Sequence, residues 1–443
     1  MNNLLKQNSF YRFSYENKKY VFFSGSQRIL EIGNPLMDAY FTLCTGDETA
    51  DKISDNEIAQ ITATLNSLCT PPKHPATEPR QDMLTLNVTH GCNMACKYCF
   101  ASTTQDRKEV MSLSVARKAI ENMLKTNPAS GQYTIYFFGG EPLLHKSFLH
   151  EVVAMAKEEI VGKRGKKVIF LVNTNGTLID ESLLRLFKEE KFTVTVSMDG
   201  PEDINDENRI FTNGRGSYRR IIRNIEKLKE HHIRFNIRAT IHPNTRKLFK
   251  IIRFFETLKV PYSYAFTMDS GTERKYTFDF GEIDLDRLDQ QLAECTAYLV
   301  AKRMKGEPIY NLDFCNGLKT LKDKTVRLQG CSAGRSNLIV DEQGRYYACQ
   351  NMLPLRETSL GDVNSGIQEN RLNEFRSQDV AQLDNCRQCW ARYLCGGSCL
   401  NERYLHGSQS VYINMKCRLI RTIWKHRIHS YIALESFINN MSN

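Results

Sequence analysis

Three cysteines fall within eight positions in the run Cys92-Asn-Met-Ala-Cys96-Lys-Tyr-Cys99. This C-x3-C-x2-C spacing puts three thiolates on one tight loop, enough for three corners of a four-iron four-sulfur cluster. The fourth iron is then left without a protein ligand, and an open coordination position is how a metal site accepts a substrate or cofactor. A zinc knuckle is the competing reading, but structural zinc wants four ligands. The nearby His90 would sit awkwardly at a strand end beside Cys92. A second array begins with Cys331 and Cys349, with Gly344 between them, and continues as Cys386-x2-Cys389-x5-Cys395-x3-Cys399-x17-Cys417. Seven thiols at such spacings fit auxiliary clusters, with a zinc ribbon as the alternative. The chain holds fourteen cysteines in all. No apolar stretch follows Met1 to suggest export, so metal binding is expected rather than a disulfide framework.

Hydrophobic periodicity gives the elements that must position these thiols. In a chain of 443 residues, residues 1–70 read as a small α+β, winged-helix-like module. Short strands are expected at 11–15, 19–23 and 28–32, then helices from Pro35 and from Asp55. Pro71, Pro72, Pro75 and Pro79 make 71–81 a stiff linker. From 82 to 304, apolar runs at 84–88, 133–138, 168–172, 192–196, 235–241 and 262–267 alternate with amphipathic helices. The pattern predicts an α/β fold, a partial (β/α)6 TIM-like barrel with its chemistry at the C-terminal strand ends. Between 305 and 417 the periodicity weakens and cysteines dominate, which predicts a small domain stapled by metal. Residues 418–443 return to helical spacing. Sixty basic against fifty acidic side chains leave a net charge of +10, too modest and dispersed to argue for nucleic acid. Mean hydropathy is −0.44, and no apolar run approaches the roughly 20 residues of a spanning helix. A cytoplasmic protein with no membrane and no nucleic-acid partner is expected.

The triplet, in its place after the first barrel strand, resembles that of the radical S-adenosylmethionine (SAM) enzymes. The resemblance implies that the open iron is chelated by the amino and carboxylate groups of SAM, and that cluster reduction yields a 5′-deoxyadenosyl radical which abstracts hydrogen. Tyr98 stands where the family places an aromatic residue near the adenine. Gly139-Gly140-Glu141-Pro142 looks like the family's GGEP segment, whose backbone and Glu meet the methionine amino group. Ser197 and Arg209 resemble the ribose and carboxylate contacts of related enzymes, with loop capping as their plain alternative. The C-terminal array looks like a SPASM domain, which usually carries two auxiliary four-iron clusters, so three clusters are implied in total. By the family's pattern Cys386, Cys389, Cys395 and Cys417 hold the outer cluster. Cys331, Cys349 and Cys399 hold the inner one, with Cys315 as the candidate fourth ligand.

Two positions depart from the sulfatase maturases. Thr325 stands where those enzymes place the fourth inner cysteine, and Gln350 replaces the Asp that serves them as a base. Gln cannot take a proton at neutral pH. The expected function is therefore a maturase of ribosomally made peptides that forms an intramolecular crosslink, with a carbon–carbon cyclophane favoured over a thioether. The alternative is a sulfatase-maturase-type dehydrogenase oxidising a Cys or Ser of a protein. A remote alternative is a zinc-stapled nucleic-acid-binding protein using Arg418, Arg421, Lys425 and Arg427, a run that reads more simply as a solvated helix face. The N-terminal module resembles the peptide-recognition element of such maturases, which binds a precursor's leader as an added strand. A low-potential electron donor such as flavodoxin or ferredoxin is the other implied partner.

Overall fold

A computed structural model describes residues 10–44, 53–69, 81–99, 109–242, 245–267 and 284–441. The proline linker expected at 71–81 lies almost wholly outside them. An eight-stranded sheet organises the molecule, in the order β11-β10-β4-β5-β6-β7-β8-β9. Its strands are β4 (Met83–Asn87), β5 (Gln132–Phe138), β6 (Lys167–Thr174), β7 (Thr193–Ser197), β8 (Arg234–Ile241), β9 (Tyr262–Phe266), β10 (Asn337–Val340) and β11 (Tyr346–Tyr347). The six expected barrel strands pair in parallel from β4 to β9. Their side chains explain the arrangement. Leu86, Ile135, Phe137, Val172, Val196 and Ile237 are fully buried, as strands covered on both faces require.

Beyond the expectation, the cysteine-rich region extends this sheet. β10 pairs in parallel with β4, placing Val340 against Leu86, and β11 returns antiparallel on β10. Two strands too short for periodicity to reveal thus fasten the 305–417 region to the barrel strand that leads into the cysteine triplet. At the opposite edge β9 is covered by residues 310–313. Tyr262 N–H donates to Tyr310 O at 3.0 Å, and Tyr264 N–H to the Asp313 carboxylate at 2.7 Å. Covering an exposed edge in this way prevents unwanted strand pairing.

The helices between strands are amphipathic and capped. Asp180 accepts from Leu183 N–H at 3.0 Å at the start of Glu181–Glu189. The helix Tyr218–Glu230 buries Ile221, Ile225 and Leu228 on one stripe. The C-terminal helix runs Val411–Met441, so the boundary expected at 417/418 falls inside it and Cys417 is a helical residue. Its basic run is not a free solvated face. Lys425 pairs with Asp289 at 2.5 Å, and the Arg427 guanidinium lies 4.6 Å from the Trp424 ring centre.

The N-terminal strands β1 (Phe10–Tyr15), β2 (Lys18–Phe23) and β3 (Arg28–Glu31) form an antiparallel meander with β2 in the centre. Alternation gives β2 two buried faces. Val21 and Phe23 pack with Tyr40, Phe41, Ile61 and Leu65 of the module's own helices. Tyr20 and Phe22, with Phe13, pack on Leu394, Trp424, Ile428 and Ile432. The module is therefore docked on the cluster region and the C-terminal helix.

Candidate active site and iron–sulfur centres

The three cysteines of the triplet line a cavity of about 490 Å³ at the C-terminal ends of the barrel strands. Two neighbours shape their loop. Behind it, Gly140 N–H donates to Thr89 O at 2.7 Å and Glu141 N–H to Gly91 O at 2.9 Å. The approach is so close that a Cβ on Gly140 would lie 2.3 Å from Gly91 O, and one on Gly139, at φ +145°, 2.5 Å from Thr89 O. Only glycine fits at either position. In front, Ala95 N–H donates to Ile210 O at 2.8 Å and Lys97 N–H to Asn208 O at 3.0 Å, so the segment that carries Arg209 also holds the triplet. Asn175, at the end of β6, reaches Cys92 Sγ at 3.8 Å.

Burial pushes the Cys92 thiol up to about 12, with Glu141, Cys96 and Cys99 adding to the shift. Burial likewise pushes Cys96 up to about 11. Bare thiolates here are costly, and a cationic iron cluster is the kind of partner that makes three buried thiolates tolerable. The donor set and the open cavity beside it therefore fit an iron–sulfur cluster with one free coordination position.

Tyr98, Gly139, Gly140, Ser197 and Arg209 line the same cavity. Arg209 is buried, and its Nε lies 3.0 Å from Asp199 Oδ1 as an ion pair without a directed hydrogen bond. Its guanidinium sits 5.4 Å from the Tyr98 ring centre. Asp199 also accepts from the Tyr98 hydroxyl and from Thr240 N–H, the latter at 2.9 Å. Asp199 thus orients both the aromatic ring and the cation. Its signal was the Ser197-Met-Asp199-Gly200 strand end, where the sequence gave no means of choosing it over its neighbours.

Glu141 is placed differently from its expected role. Its buried carboxylate accepts from Leu143 N–H at 3.0 Å, the Thr174 hydroxyl at 2.7 Å and Asn175 N–H at 2.7 Å. It ties the end of β5 to the end of β6 and does not line the cavity. Burial outweighs these donors and raises its pKa to about 7. The residue before it, Gly140, carries the cavity wall instead.

The opposite wall comes from the cysteine-rich region. Gln350 and Asn351, next to Cys349, line the cavity with Tyr136 and Arg238 from the strands. Among the described residues that line it, none is a carboxylate or an imidazole.

The auxiliary thiols fall into two groups. Cys386, Cys395 and Cys417 feel one another's charge and that of Cys389. Cys349 feels Cys331, and Cys399 feels Cys349. These are the outer and inner sets expected from spacing. The structure does not bring Cys315 to the inner set. It lies exposed on the helix Leu312–Lys322, and the charged groups that act on it are Arg303 and Glu256. Helical geometry explains this, because the same turn that sends Phe314 into the core turns Cys315 outward. Among the described residues no three His, Cys, Asp or Glu side chains converge closely enough to hold a single metal ion.

The radical SAM superfamily profile matches residues 86–255, the span from β4 through the helix Leu248–Leu258. The serine-type anaerobic sulfatase-maturating enzyme of Klebsiella pneumoniae is 30% identical over 342 residues, which cover 73% of this chain and 84% of that enzyme. The chain belongs to the radical SAM superfamily, and it is an enzyme of that family. Among solved structures, native anSMEcpe with bound AdoMet and Kp18Cys peptide has a TM-score of 0.68 at 22% identity, covering 81% of this chain and 99% of that one. SuiB of Streptococcus suis, bound to its precursor peptide SuiA, has a TM-score of 0.53 at 14% identity and covers 91% of this chain and 96% of that one. Both bear out the α/β fold. No described helix is long and apolar enough to cross a membrane.

Proposed function

We propose that this chain is a SAM-cleaving enzyme that oxidises a side chain of a peptide or protein segment by two electrons, as a sulfatase-maturase-type dehydrogenase. The observation that carries the reading is the cavity itself. Cluster thiols stand on one wall, Gln350 and Asn351 of the cysteine-rich region on another, and about 490 Å³ lies between them. That volume accommodates a small cofactor together with one substrate side chain. The relatives support the choice of reaction, since a sulfatase-maturating enzyme matches most of the chain.

Cys92, Cys96 and Cys99 would hold the catalytic cluster, which when bound supplies the low-potential electron that splits the sulfonium of SAM. The other residues position the cofactor. The Tyr98 ring, set by Asp199, offers a face for the adenine. Arg209 offers a cation for a carboxylate, the backbone at Gly139 and Gly140 allows close approach of the methionine end, and Ser197 faces the ribose. The two thiol groups of the C-terminal region would hold two auxiliary clusters. These receive the surplus electron and pass it to a flavodoxin- or ferredoxin-like carrier.

Gln350 favours a second reading, the crosslinking maturase. No carboxylate stands beside Cys349 to take the thiol or hydroxyl proton that aldehyde formation releases. The docked N-terminal meander offers the β3 edge for an added leader strand. The test is anaerobic turnover with Cys- and Ser-containing sulfatase peptides and with short peptides encoded beside this gene. Loss of two hydrogens with hydrazide-reactive aldehyde establishes the dehydrogenase. Loss of two hydrogens without aldehyde, with fragmentation silent between two linked residues, establishes the crosslinker. SAM cleavage with no peptide of either kind changed in mass overturns both.

A further inference from the structure

Arg403 stands in the helix Leu400–His406, one turn after Cys399. It is 9% exposed, and its Nε and one terminal nitrogen have no hydrogen-bond partner. No described carboxylate forms an ion pair with it. A buried guanidinium without an anion is costly, so its surroundings must supply the counter-charge. The groups around it are thiols drawn from both auxiliary sets, Cys386 and Cys395 of the outer and Cys331 and Cys399 of the inner. The local backbone also makes room for it. A Cβ on Gly397, which sits at φ +88°, would lie 3.1 Å from an Arg403 terminal nitrogen.

We infer that Arg403 is the shared counter-charge of the two auxiliary clusters, donating N–H···S hydrogen bonds to both from between them and holding both reduction potentials up. The inference rests on the proposal that both thiol groups carry clusters. Each such cluster brings net negative charge, and its sulfurs accept hydrogen bonds. Hydrogen bonds to cluster sulfurs and a nearby cation both favour the reduced, more negative state. Placed between the two sets, one guanidinium acts on both and keeps them competent to receive the electron that substrate oxidation releases. Arg403 is a positioning residue here, because it touches neither substrate nor SAM.

The test uses the full chain with Cys92, Cys96 and Cys99 replaced by Ala, so that only auxiliary clusters contribute, with and without Arg403→Gln. Iron and sulfide are quantified, and each cluster signal is followed by electron paramagnetic resonance during a redox titration. The expected result is unchanged iron with both midpoint potentials lowered. Full iron with either potential unmoved overturns the shared role. If Arg403→Gln sheds iron, Arg403→Lys decides. Restored iron in both sets supports the counter-charge, and iron lost in that variant as well overturns it. A parent chain holding no auxiliary iron would instead refute the cluster reading itself, a separate outcome visible before any Arg403 variant is made.

Discussion

At the scale of single residues, the site divides into ligands and the groups that aim them. Replacing Cys92, Cys96 or Cys99 by Ala should abolish reductive release of 5′-deoxyadenosine. A variant that still releases it would remove the triplet from catalysis. Asp199 makes a sharper case because it touches Arg209, Tyr98 and Thr240. In Asp199→Asn the buried cation loses its counter-charge and the ring its anchor. SAM affinity should fall by at least about tenfold, the equivalent of ~1.4 kcal/mol, with cluster iron retained. Equal SAM affinity in the two proteins, measured by anaerobic calorimetry, would make Asp199 a scaffold residue only.

At the scale of elements, the barrel acts as a rack whose strand ends meet. The β5 end supplies Gly139 and Gly140, and their closeness to residues 89–91 fixes the departure of the cysteine loop. Gly140→Ala would force a Cβ into the Gly91 carbonyl, so the loop must move. The expected outcome is loss of iron from the triplet with auxiliary iron kept, read by iron analysis and spectroscopy. Retention of the catalytic cluster's signal would show that the loop is set by residues 208–211 alone.

At the scale of the whole molecule, the N-terminal module is structurally tied to the C-terminal helix. Phe22 is fully buried in the contact that includes Leu394, Trp424 and Ile428. Phe22→Ala should cost on the order of 3–5 kcal/mol and lower the melting temperature. An unchanged melting temperature would show that the contact carries no stability. Deleting the module would likewise bare Trp424 and Ile428, so point changes along β3 are the cleaner probe of peptide binding. The same contact responds to pH. His429 stacks on Phe13 with ring centres 5.1 Å apart, and burial, with His426 and Lys425 nearby, lowers its pKa to about 4. Asp289 opposes that shift from the facing helix. In the unfolded chain His429 takes a proton near pH 6.5, so the unfolded state binds more protons between about 6.5 and 4. The contact is therefore fully stable above pH 6.5 and loses stability as pH falls through that window. His429→Phe should flatten this fall in anaerobic denaturant midpoints, and an unchanged pH slope would place its cause elsewhere.

The cysteine spacing, the alternation of strands and helices and the glycine pair are local properties, and local sequence determined them. Thiolate chemistry needs its ligands within a few residues of one loop, and parallel strands need unbroken apolar runs, so both are written in short windows. Tertiary structure alone decided the rest. It turned Cys315 outward although spacing made it the natural ligand, because a helix face, unlike a count of cysteines, depends on what the helix packs against. It committed Glu141 to the β6 end, made β10 and β11 part of the barrel sheet, and set Arg403 between two thiol groups. Each of these joins residues distant in the chain, whose meeting depends on the register of strands and the docking of helices rather than on any local pattern.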